Sequence, residues 1–536
     1  MKPMRWKSIP WPAGVAFSAL ITFFSMPPFG CAPLMFVAVI PVFLALDTAP
    51  NWRQAAFRAW VYVTLCNIAL CIWVAHTVHE FARVPWLLSY PCVLLVSVFE
   101  QFAWPVVAAL RHILHRRFGI RPLLWTPVAL MVADSLWPKF FPDTLGNVLY
   151  TFPRLCQLAD LFGIFGLTAL LVATNEVGAA LLLGSWPTRE LKRHLLAVAC
   201  LVLAAVGYGS WRLGRVQALM ARPAGHLRVG LVQPDIGSLD KVAAEAGRGN
   251  AGAFAMERLE RLTAAAVREG AELVVWPETA YPATYHGLGG DAQPRFTAEL
   301  DRFVLAGRVP LVFGGYDSDS RGEYNSLFMA TPGPGGQIGV QRYHKVILLV
   351  PSEQFPLAGV FPGLARLIRA NGGADFVPGP GPVVFYHPRA RLGVMICLEG
   401  LFARHVRELA RQGAQILVNA TNDSWFGHGI EQDLHLRLTA FRCIETRRPM
   451  VRVTNTGYSA VVDIDGSLSY QSAADVEAVR TVDVPIYPKI TSPFVAAGDE
   501  LMIAAGLWAL WPFVLVFKGR SRFGASPSHI RGGRFQ

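Results

Sequence analysis

The chain has 536 residues, of which 53% are hydrophobic and only 16% are charged, and its formal net charge is +12. This composition is too apolar for an ordinary soluble domain and indicates a membrane protein. The sequence contains no recognisable nucleic-acid-binding module, so the positive charge does not indicate a nucleic-acid partner.

Apolar runs dominate the first 215 residues, and one more lies near the C-terminus. A membrane-crossing helix needs about 20 mostly apolar residues. Eight runs reach or approach that length: 11–28, 32–47, 57–79, 86–110, 122–138, 158–184, 194–211 and 499–517. We predict a transmembrane domain over 1–215 with about seven helices, a C-terminal transmembrane helix over 499–517 and a basic cytoplasmic tail over 518–536. The first run lacks a small-residue cleavage site, so it is not predicted to be a signal peptide.

Basic residues are concentrated in alternate loops between the runs. They precede the first run and follow the second, fourth, sixth and eighth: Lys2, Arg5, Lys7, Arg53, Arg58, Arg111, Arg116, Arg117, Arg121, Arg189, Lys192, Arg193, Lys518, Arg520 and Arg522. Cytoplasmic loops of membrane proteins carry an excess of Lys and Arg. The sequence therefore predicts that both termini are cytoplasmic and that the domain between the last two spans lies on the opposite side.

Residues 226–490 alternate strand patterns and helix patterns. Strands are predicted over 227–233, 272–276, 310–314, 325–330, 383–386, 391–396, 416–419, 450–454 and 459–464. Amphipathic helices are predicted over 252–269, 295–306, 401–412 and 431–447. The fold class predicted for this part of the chain is an α/β sheet domain with helical layers.

Three polar residues of this domain appear at strand ends, where an apolar core would not favour them. Glu278 lies in VVWPETAYP, Lys345 in QRYHKVILLVPSEQFP and Cys397 in RLGVMICLEGLF. A carboxylate can take a thiol proton, the thiolate can attack a carbonyl, and an ammonium can stabilise the oxyanion, with the backbone N–H of Leu398 as a second donor. Each residue also has an ordinary interpretation: a turn carboxylate, a surface lysine and a buried apolar cysteine. Sequence spacing alone does not bring the three together.

Cys397 and Cys443 are the only two of the eight cysteines that lie in the predicted α/β domain. A disulfide between them is an alternative to a free nucleophile, because the outer side of the membrane is oxidising. No CxxC motif and no Cys/His cluster is present, so the sequence predicts no metal site.

Short motifs in a fixed order carry a family resemblance. They are SMPPFG, the PE after the second strand, YHK, GVMIC, NDSWFG, RCIETRRPMVRVTNTGYSAVVD and GDELMIAAG. These stretches resemble the carbon–nitrogen hydrolase (nitrilase) superfamily, and with the predicted topology the whole chain is similar to the apolipoprotein N-acyltransferase family. The resemblance implies a nitrilase-like αββα sandwich outside the membrane.

The resemblance also implies roles for eight residues. Glu278 becomes the general base, Lys345 the oxyanion stabiliser and Cys397 the nucleophile. Supporting or substrate-binding positions are Glu353, Leu398, Glu399, Trp425 and Phe426. Several positions depart from the family pattern: Leu398 stands where a tyrosine is common, Ser352 stands in a loop that usually reads Pro-Phe-Gly, and the loop 235–242 lacks a tryptophan. We expect these departures to affect substrate gating and acyl-chain preference more than the chemistry.

The implied reaction has two steps and no cofactor. Cys397 attacks the sn-1 ester of a phospholipid, typically phosphatidylethanolamine, and the thioester passes its acyl chain to the α-amine of a diacylglyceryl apolipoprotein. The partners are then membrane lipid, the phospholipid donor and the apolipoprotein acceptor, with no nucleic acid and a monomeric enzyme. The implied location is the bacterial inner membrane, with the catalytic domain on the periplasmic side.

Two other functions compete with this interpretation. The same fold would serve a membrane-anchored amidase acting on another C–N substrate, although eight spans exceed what an anchor needs. A transporter with an extra outer domain would place paired charges in mid-span, whereas Glu100, Asp134 and Asp160, the clear acidic candidates, each lie near a predicted span boundary or a tryptophan-rich edge.

Overall fold

The structure, a computed structural model, describes residues 10–82, 84–119, 125–183, 188–237, 251–285, 294–350, 352–355, 358–370, 374–427 and 429–523. Several residues used above lie outside these ranges: Lys2, Arg5, Lys7, Arg121, part of the 235–242 loop and the tail beyond 523.

The N-terminal region is helical throughout its described length. Its α-helices are α1 (Trp11–Ser25), α2 (Met35–Ala38), α3 (Ile40–Asp47), α4 (Trp52–Leu70), α5 (Trp73–Ala82), α6 (Trp86–Glu100), α7 (Ala103–Phe118), α8 (Trp125–Leu136), α9 (Pro153–Cys156), α10 (Ala159–Phe162), α11 (Ile164–Leu183) and α12 (Thr188–Met220). Short 3-10 turns add Ala32–Leu34 and Leu145–Thr151. The helix α12 extends past residue 215, the predicted end of the transmembrane domain, because its pattern stays helical until the turn before the first strand.

Helices that are long and apolar enough to cross a membrane number three among the described residues: Ile164–Leu183, Thr188–Met220 and Pro493–Val514. Two further runs that were predicted as single spans are each two helices, with bends of 54° between α4 and α5 and 42° between α6 and α7. If each bent pair is one span the number becomes five, and α1 and 32–47 are shorter apolar helices. The predicted total of eight spans therefore stays a prediction.

The bend between α6 and α7 is held by polar contacts. Gln101, between the two helices, donates from Nε2 to Asp143 Oδ1 at 2.9 Å. Glu100 accepts from the backbone N–H groups of Phe140 and Phe141 at 3.2 and 2.8 Å. These bonds partner the buried side chains of Glu100 and Gln101 and attach the bend to the segment 140–143.

The region from residue 225 onward forms two six-stranded sheets. The strands are β1 (Gly225–Gln233), β2 (Leu273–Val275), β3 (Leu311–Asp319), β4 (Gly322–Pro332), β5 (Ile338–His344), β6 (Val383–Tyr386), β7 (Arg391–Ile396), β8 (Ile416–Thr421), β9 (Met450–Thr454), β10 (Ala460–Val462), β11 (Leu468–Gln471) and β12 (Ala478–Ile486). One sheet has the order β12-β1-β2-β3-β4-β5 and the other β11-β10-β9-β8-β7-β6. Strands β1 to β3 are parallel, as are β7 to β9.

Helices cover the outer face of each sheet. The helices of this region are α13 (Ala251–Arg268), α14 (Pro294–Gly307), α15 (Pro362–Ala370), α16 (Ala403–Arg411) and α17 (Ile430–Thr446), and α18 (Pro493–Phe523) follows the last strand. One buried cluster joins the two sheets face to face, through side chains such as Val229, Val275, Val394 and Val418. A second cluster packs α13 and α14 on the first sheet, and a third packs α16 and α17 on the second. The predicted α/β domain with helical layers is confirmed as an αββα sandwich.

The predicted strands and helices recur in the structure with shifts of a few residues, but four elements were not predicted. These are β5, α15, β11 and β12. Each of the three strands is the outermost strand at one edge of its sheet, and their side chains are mostly half-exposed. Edge strands bury little apolar surface, so their alternating pattern is weak.

The helical region and the sandwich share a buried polar junction. Arg447 at the end of α17 donates to Asp160 Oδ2 at 2.7 Å, and Arg212 of α12 contacts the same oxygen at 2.5 Å. Ile164 donates its backbone N–H to Glu445 Oε1 at 2.8 Å. Asp160, Arg447 and Glu445 are fully buried, so the junction fixes the sandwich against the helices.

Candidate active site

The three residues singled out at strand ends meet in the interior between the two sheets. Glu278 follows β2, Lys345 follows β5 directly, and Cys397 follows β7 directly. Their exposed fractions are 5%, 2% and 5%. Because β2 and β7 belong to opposite sheets, the sandwich brings together groups that are more than a hundred residues apart in sequence.

Lys345 lies between two carboxylates. Its Nζ is 3.0 Å from Glu278 Oε1 and 2.9 Å from Glu353. Asn325, on β4, donates from Nδ2 to the same two side chains at 2.8 and 2.7 Å. The backbone N–H of Asn422 donates to Glu278 Oε2 at 3.1 Å. These bonds fix both the orientation of the Glu278 carboxylate and the position of the ammonium.

Glu399 connects the lysine segment with the cysteine turn. Its carboxylate accepts four hydrogen bonds of 2.7 to 3.0 Å, from the Tyr343 hydroxyl and from the backbone N–H groups of Val346, Ile347 and Ile396. The first three donors flank Lys345 and the fourth precedes Cys397. Glu399 is fully buried, so its role in the structure is to hold these two segments in register.

Cys397 has a backbone conformation that is unusual for a residue with a side chain. Its φ is 53°, and it begins the 3-10 turn Cys397–Leu401. A left-handed residue other than glycine costs on the order of 1–3 kcal/mol and persists only where its surroundings fix it. Here the Cys397 carbonyl accepts from Asn419 Nδ2 at 3.1 Å. Leu398, the next residue of the turn, is also buried.

A buried charge network supports that contact. Arg452 on β9 donates to Asn419 Oδ1 at 2.7 Å and to Asp423 Oδ2 at 2.8 Å. His435 lies 3.1 Å from Asp423 Oδ1 through its Nδ1. Asn419, Asp423, Arg452 and His435 are all fully buried. The network therefore extends from the Cys397 carbonyl across two neighbouring strands and reaches α17.

The charges of the site determine which protons are present. Burial and the neighbouring Glu278 raise the pKa of the Cys397 thiol above its ordinary value, while Lys345 acts in the opposite direction. Burial opposes the charge of Lys345, but Glu278 and Glu353 outweigh it and hold the lysine pKa well above its usual range. At neutral pH the site thus contains an ammonium and a protonated thiol. A base must therefore remove the thiol proton as the sulfur attacks a carbonyl carbon. The Glu278 carboxylate of this cluster is the candidate for that base.

Asp423 stays ionised for a different reason. Burial would raise its pKa, but Arg452 and His435 lower it to about 2. The Asp423 carboxylate is therefore a fixed negative charge throughout the neutral range. It also contributes to raising the pKa of the Cys397 thiol.

Trp425 and Phe426 lie on the loop 422–427 that joins the site to the helical region. The Thr77 hydroxyl of α5 donates to the Trp425 carbonyl at 2.7 Å. The Phe426 ring packs edge-on against Trp73, with ring centroids 4.8 Å apart. Phe426 is buried and Trp425 is half-buried, so both residues line the seam between the sandwich and the apolar helices.

The sequence pattern did not single out Asn325, Asn419, Asp423 or Arg452, although they organise the site. A signal was present for two of them. Arg452 stands in the middle of the apolar strand MVRVT, and Asn419 stands in ILVNAT. A buried charge or amide in a central strand needs a partner, and here the two are partners of each other. Ser352, one of the departures from the family pattern, lies directly before Glu353 in a described loop, whereas the residue before Ser352 lies outside the described ranges.

Other features of the domain bear on the alternatives raised by the sequence. Cys397 and Cys443 are both free thiols, so the alternative disulfide is not formed. Within the described ranges, no group of three or more His, Cys, Asp or Glu side chains is placed to hold a metal ion.

Two family models match the chain. The model for carbon-nitrogen hydrolases matches residues 228–487, and the model for the N-terminal domain of apolipoprotein N-acyltransferases matches residues 18–177.

Among known proteins, an apolipoprotein N-acyltransferase from Bdellovibrio bacteriovorus is 32% identical over 448 residues, covering 80% of this chain and 79% of that protein. One from Geobacter metallireducens is 28% identical over 480 residues, covering 87% and 88% of the two chains. Among solved structures, an amidase from Nesterenkonia sp. AN1 is 19% identical with a TM-score of 0.37, covering 49% of this chain and 91% of that one.

Proposed function

The chain belongs to the apolipoprotein N-acyltransferase family, and on that premise we propose that Cys397, Glu278 and Lys345 carry out its reaction. The protein is an N-acyltransferase of lipoprotein maturation, with lipid and lipoprotein substrates. The observation that best supports the assignment of residues is the Lys345 ammonium, held within 3.0 Å of two carboxylates beside a buried free thiol.

In the first half-reaction the acyl donor is a phospholipid. Glu278 takes the Cys397 proton as the sulfur attacks the sn-1 ester carbonyl, and Lys345 and the Leu398 N–H stabilise the oxyanion. The intermediate then collapses to a thioester, and the lysophospholipid alkoxide leaves with the proton returned by Glu278. Glu353 keeps Lys345 in position, because it shares the ammonium with Glu278.

In the second half-reaction the α-amine of the diacylglyceryl cysteine attacks the thioester. The amine must lose a proton as the C–N bond forms, and Glu278 accepts it. The Cys397 thiolate leaves and is protonated again. The contact between the loop 422–427 and α5 supports lipid substrates, because it places the site beside apolar helices that can guide acyl chains.

The second half-reaction gives a direct test of acceptor chemistry. Acyl-enzyme prepared from a radiolabelled phospholipid should lose its label to a diacylglyceryl peptide with a free α-amine. It should keep the label when the same peptide is acetylated at that amine, because no nucleophile then remains. Equal loss of label with both peptides would mean hydrolysis, and would favour the amidase alternative.

We further propose the membrane arrangement that the basic residues predict. The transmembrane domain covers 1–215, the catalytic domain 226–490, a C-terminal transmembrane helix 499–517 and a basic cytoplasmic tail 518–536. The protein resides in the bacterial inner membrane as a monomer, with both termini cytoplasmic and the catalytic domain periplasmic. Because α12 runs directly into β1, the side on which α12 ends decides where the catalytic domain lies.

Reporter fusions test this topology. An enzyme that is active only in an oxidising compartment should be active when fused after Arg215 and inactive when fused after Arg117, because basic loops stay in the cytoplasm. A full-length fusion should also be inactive, because the C-terminus is predicted to be cytoplasmic, and immunoblots of all the fusions control for expression. The reverse pattern of activity would contradict the topology and the periplasmic site.

A further inference from the structure

One buried carboxyl of the sandwich has no hydrogen-bond partner in the described part of the chain. Glu431 lies in the first turn of α17, its side chain is 1% exposed, and neither carboxyl oxygen has a hydrogen-bond partner among the residues that the structure describes. The catalytic-domain carboxylates Glu278, Glu399 and Asp423 are equally buried but accept two or more hydrogen bonds each. A buried carboxyl without hydrogen bonds lacks the solvation that it would have in water, so a residue of this kind indicates a missing partner.

The Glu431 carboxyl faces the seam between the active-site loop and the helical region. The carboxylates that act on it electrostatically are Asp423, on the loop 422–427, and Asp143, after α8. It also acts on Cys71, two residues before Trp73. Both neighbouring carboxylates already have partners, since Asp423 binds Arg452 and Asp143 accepts from Gln101. Within the described part of the chain, the charges that act on Glu431 are therefore negative.

Aromatic rings line the same seam. The Trp73 ring contacts Phe426 and Phe141 at centroid distances of 4.8 and 6.2 Å, and His435 contacts the same two phenylalanines at 5.7 and 6.0 Å. His435 follows Glu431 by one helical turn, which places both on one face of α17. Trp73 Nε1 and His435 Nε2 also lack hydrogen-bond partners within the described part of the chain. Three buried polar groups of one seam are thus without a hydrogen-bond partner among the described residues.

We propose that Glu431 binds a primary ammonium group of a substrate at this seam. A carboxylate beside aromatic rings is the arrangement that proteins use for ammonium ligands. The inference rests on the proposed function, because both substrates carry such a group: the ethanolamine headgroup of the donor and the α-amine of the acceptor. The site lies next to the loop that packs on α5, where a lipid entering from the membrane domain would pass.

The electrostatic environment is consistent with this role. Burial, together with Asp423 and Asp143, raises the pKa of Glu431 well above its ordinary value. In the free protein the carboxyl is therefore held in the neutral form. An ammonium ligand would supply the positive charge that lets Glu431 ionise, so binding should release a proton from the side chain.

Two assays on Glu431→Gln separate the two possible sources of the ammonium. Acyl-enzyme formation is measured with vesicles of phosphatidylethanolamine and with vesicles of phosphatidylglycerol, which has no amine. Transfer to a diacylglyceryl peptide is measured separately, from preformed acyl-enzyme. Loss of a hydrogen bond to a charged group should reduce one of these activities about ten- to a hundredfold.

If Glu431 binds the headgroup of the donor, E431Q should slow acylation by phosphatidylethanolamine and leave the rate of acylation by phosphatidylglycerol unchanged. If Glu431 binds the amine of the acceptor, E431Q should leave both acylation rates unchanged and raise the KM for the peptide amine. Either result supports the proposal. If E431Q behaves like the wild type in both assays, or slows both phospholipids equally, the proposal is wrong. If the wild-type protein forms no acyl-enzyme with any phospholipid, the proposed function fails instead.

Asp433→Asn is the matched control, because Asp433 lies on the same turn but pairs with Arg437 at 3.3 Å; it should match the wild type in both assays. Glu431→Gln keeps the side-chain shape and replaces a neutral carboxyl by a neutral amide, so its thermal midpoint should stay close to that of the wild type. Should the variant nevertheless fail to fold, the wild type decides the question. A wild-type enzyme that is acylated equally fast by phosphatidylethanolamine and phosphatidylglycerol, and that is inhibited equally by the N,N-dimethyl peptide, which keeps an ammonium, and the N-acetyl peptide, which does not, overturns the proposal.

Discussion

Replacing Cys397 with serine should leave a folded protein that makes no thioester and does not turn over. The site is built for sulfur, because a serine hydroxyl is far less acidic than a thiol and would need a stronger base than the buried Glu278. Loss of the nucleophile from a catalytic triad can cost on the order of a million-fold in rate, so activity should fall below detection. Release of lysophospholipid from labelled phospholipid measures this directly.

Cys443→Ala is the matched control for that variant. Cys443 is also a fully buried free thiol, but it packs in the core between α17 and the second sheet, away from Lys345. We expect near wild-type activity after correction for a modest loss of stability. Normal turnover in Cys397→Ser, or loss of turnover in Cys443→Ala with an intact fold, would contradict the assignment of the nucleophile.

Glu278→Gln and Lys345→Met should both slow the first half-reaction before any acceptor is present. Losing a positioned general base costs about a hundred- to ten-thousandfold, and losing one preorganised oxyanion donor costs about a hundred- to a thousandfold. Glu278→Gln keeps the side-chain shape, and its amide oxygen can still accept from Asn325 and Lys345. Rapid-quench labelling of Cys397 with radiolabelled phospholipid gives the rate of acylation.

The lysine variant carries an additional cost that the geometry predicts. Lys345→Met leaves Glu278 and Glu353 facing each other without the ammonium that lies within 3.0 Å of both. Leaving buried charges uncompensated typically costs about 3–5 kcal/mol of stability. The double variant Lys345→Met with Glu353→Gln removes one of these carboxylates and should recover stability without recovering the rate. If either single variant acylates at the wild-type rate and fails only with the acceptor, the residue belongs to acceptor recognition instead.

Much of this site could be predicted from the sequence because its reactive residues follow strands directly. A thiol after RLGVMI and a glutamate after VVWP each interrupt an apolar pattern at the point where a predicted strand ends, whereas Lys345 follows QRYH, part of the edge strand β5 that was not predicted. Strand ends are where α/β sheets place functional groups. The order of the motifs indicated the family, and the family resemblance implied that these residues meet although they lie on opposite sheets. The spacing of the residues alone did not show this.

The supporting network could not be predicted in the same way. Arg452 and Asn419 lie inside strands, and which partner neutralises a buried guanidinium depends on the register between β8 and β9, where Asn419 pairs with Arg452. Sheet register is a tertiary property that one sequence does not specify locally. The bends at α4–α5 and α6–α7 were missed for a related reason: hydropathy measures apolar length and is insensitive to a turn held by distant groups such as Asp143.

Mass spectrometry of the protein after incubation with phospholipid alone tests the central claim most directly. We predict one added acyl mass, located by peptide mapping on Cys397, removed by hydroxylamine as a thioester and lost when a diacylglyceryl peptide with a free amine is added. No added mass, or an acyl group on any other residue that disappears with acceptor at the rate of turnover, would contradict the claim that acyl transfer proceeds through Cys397.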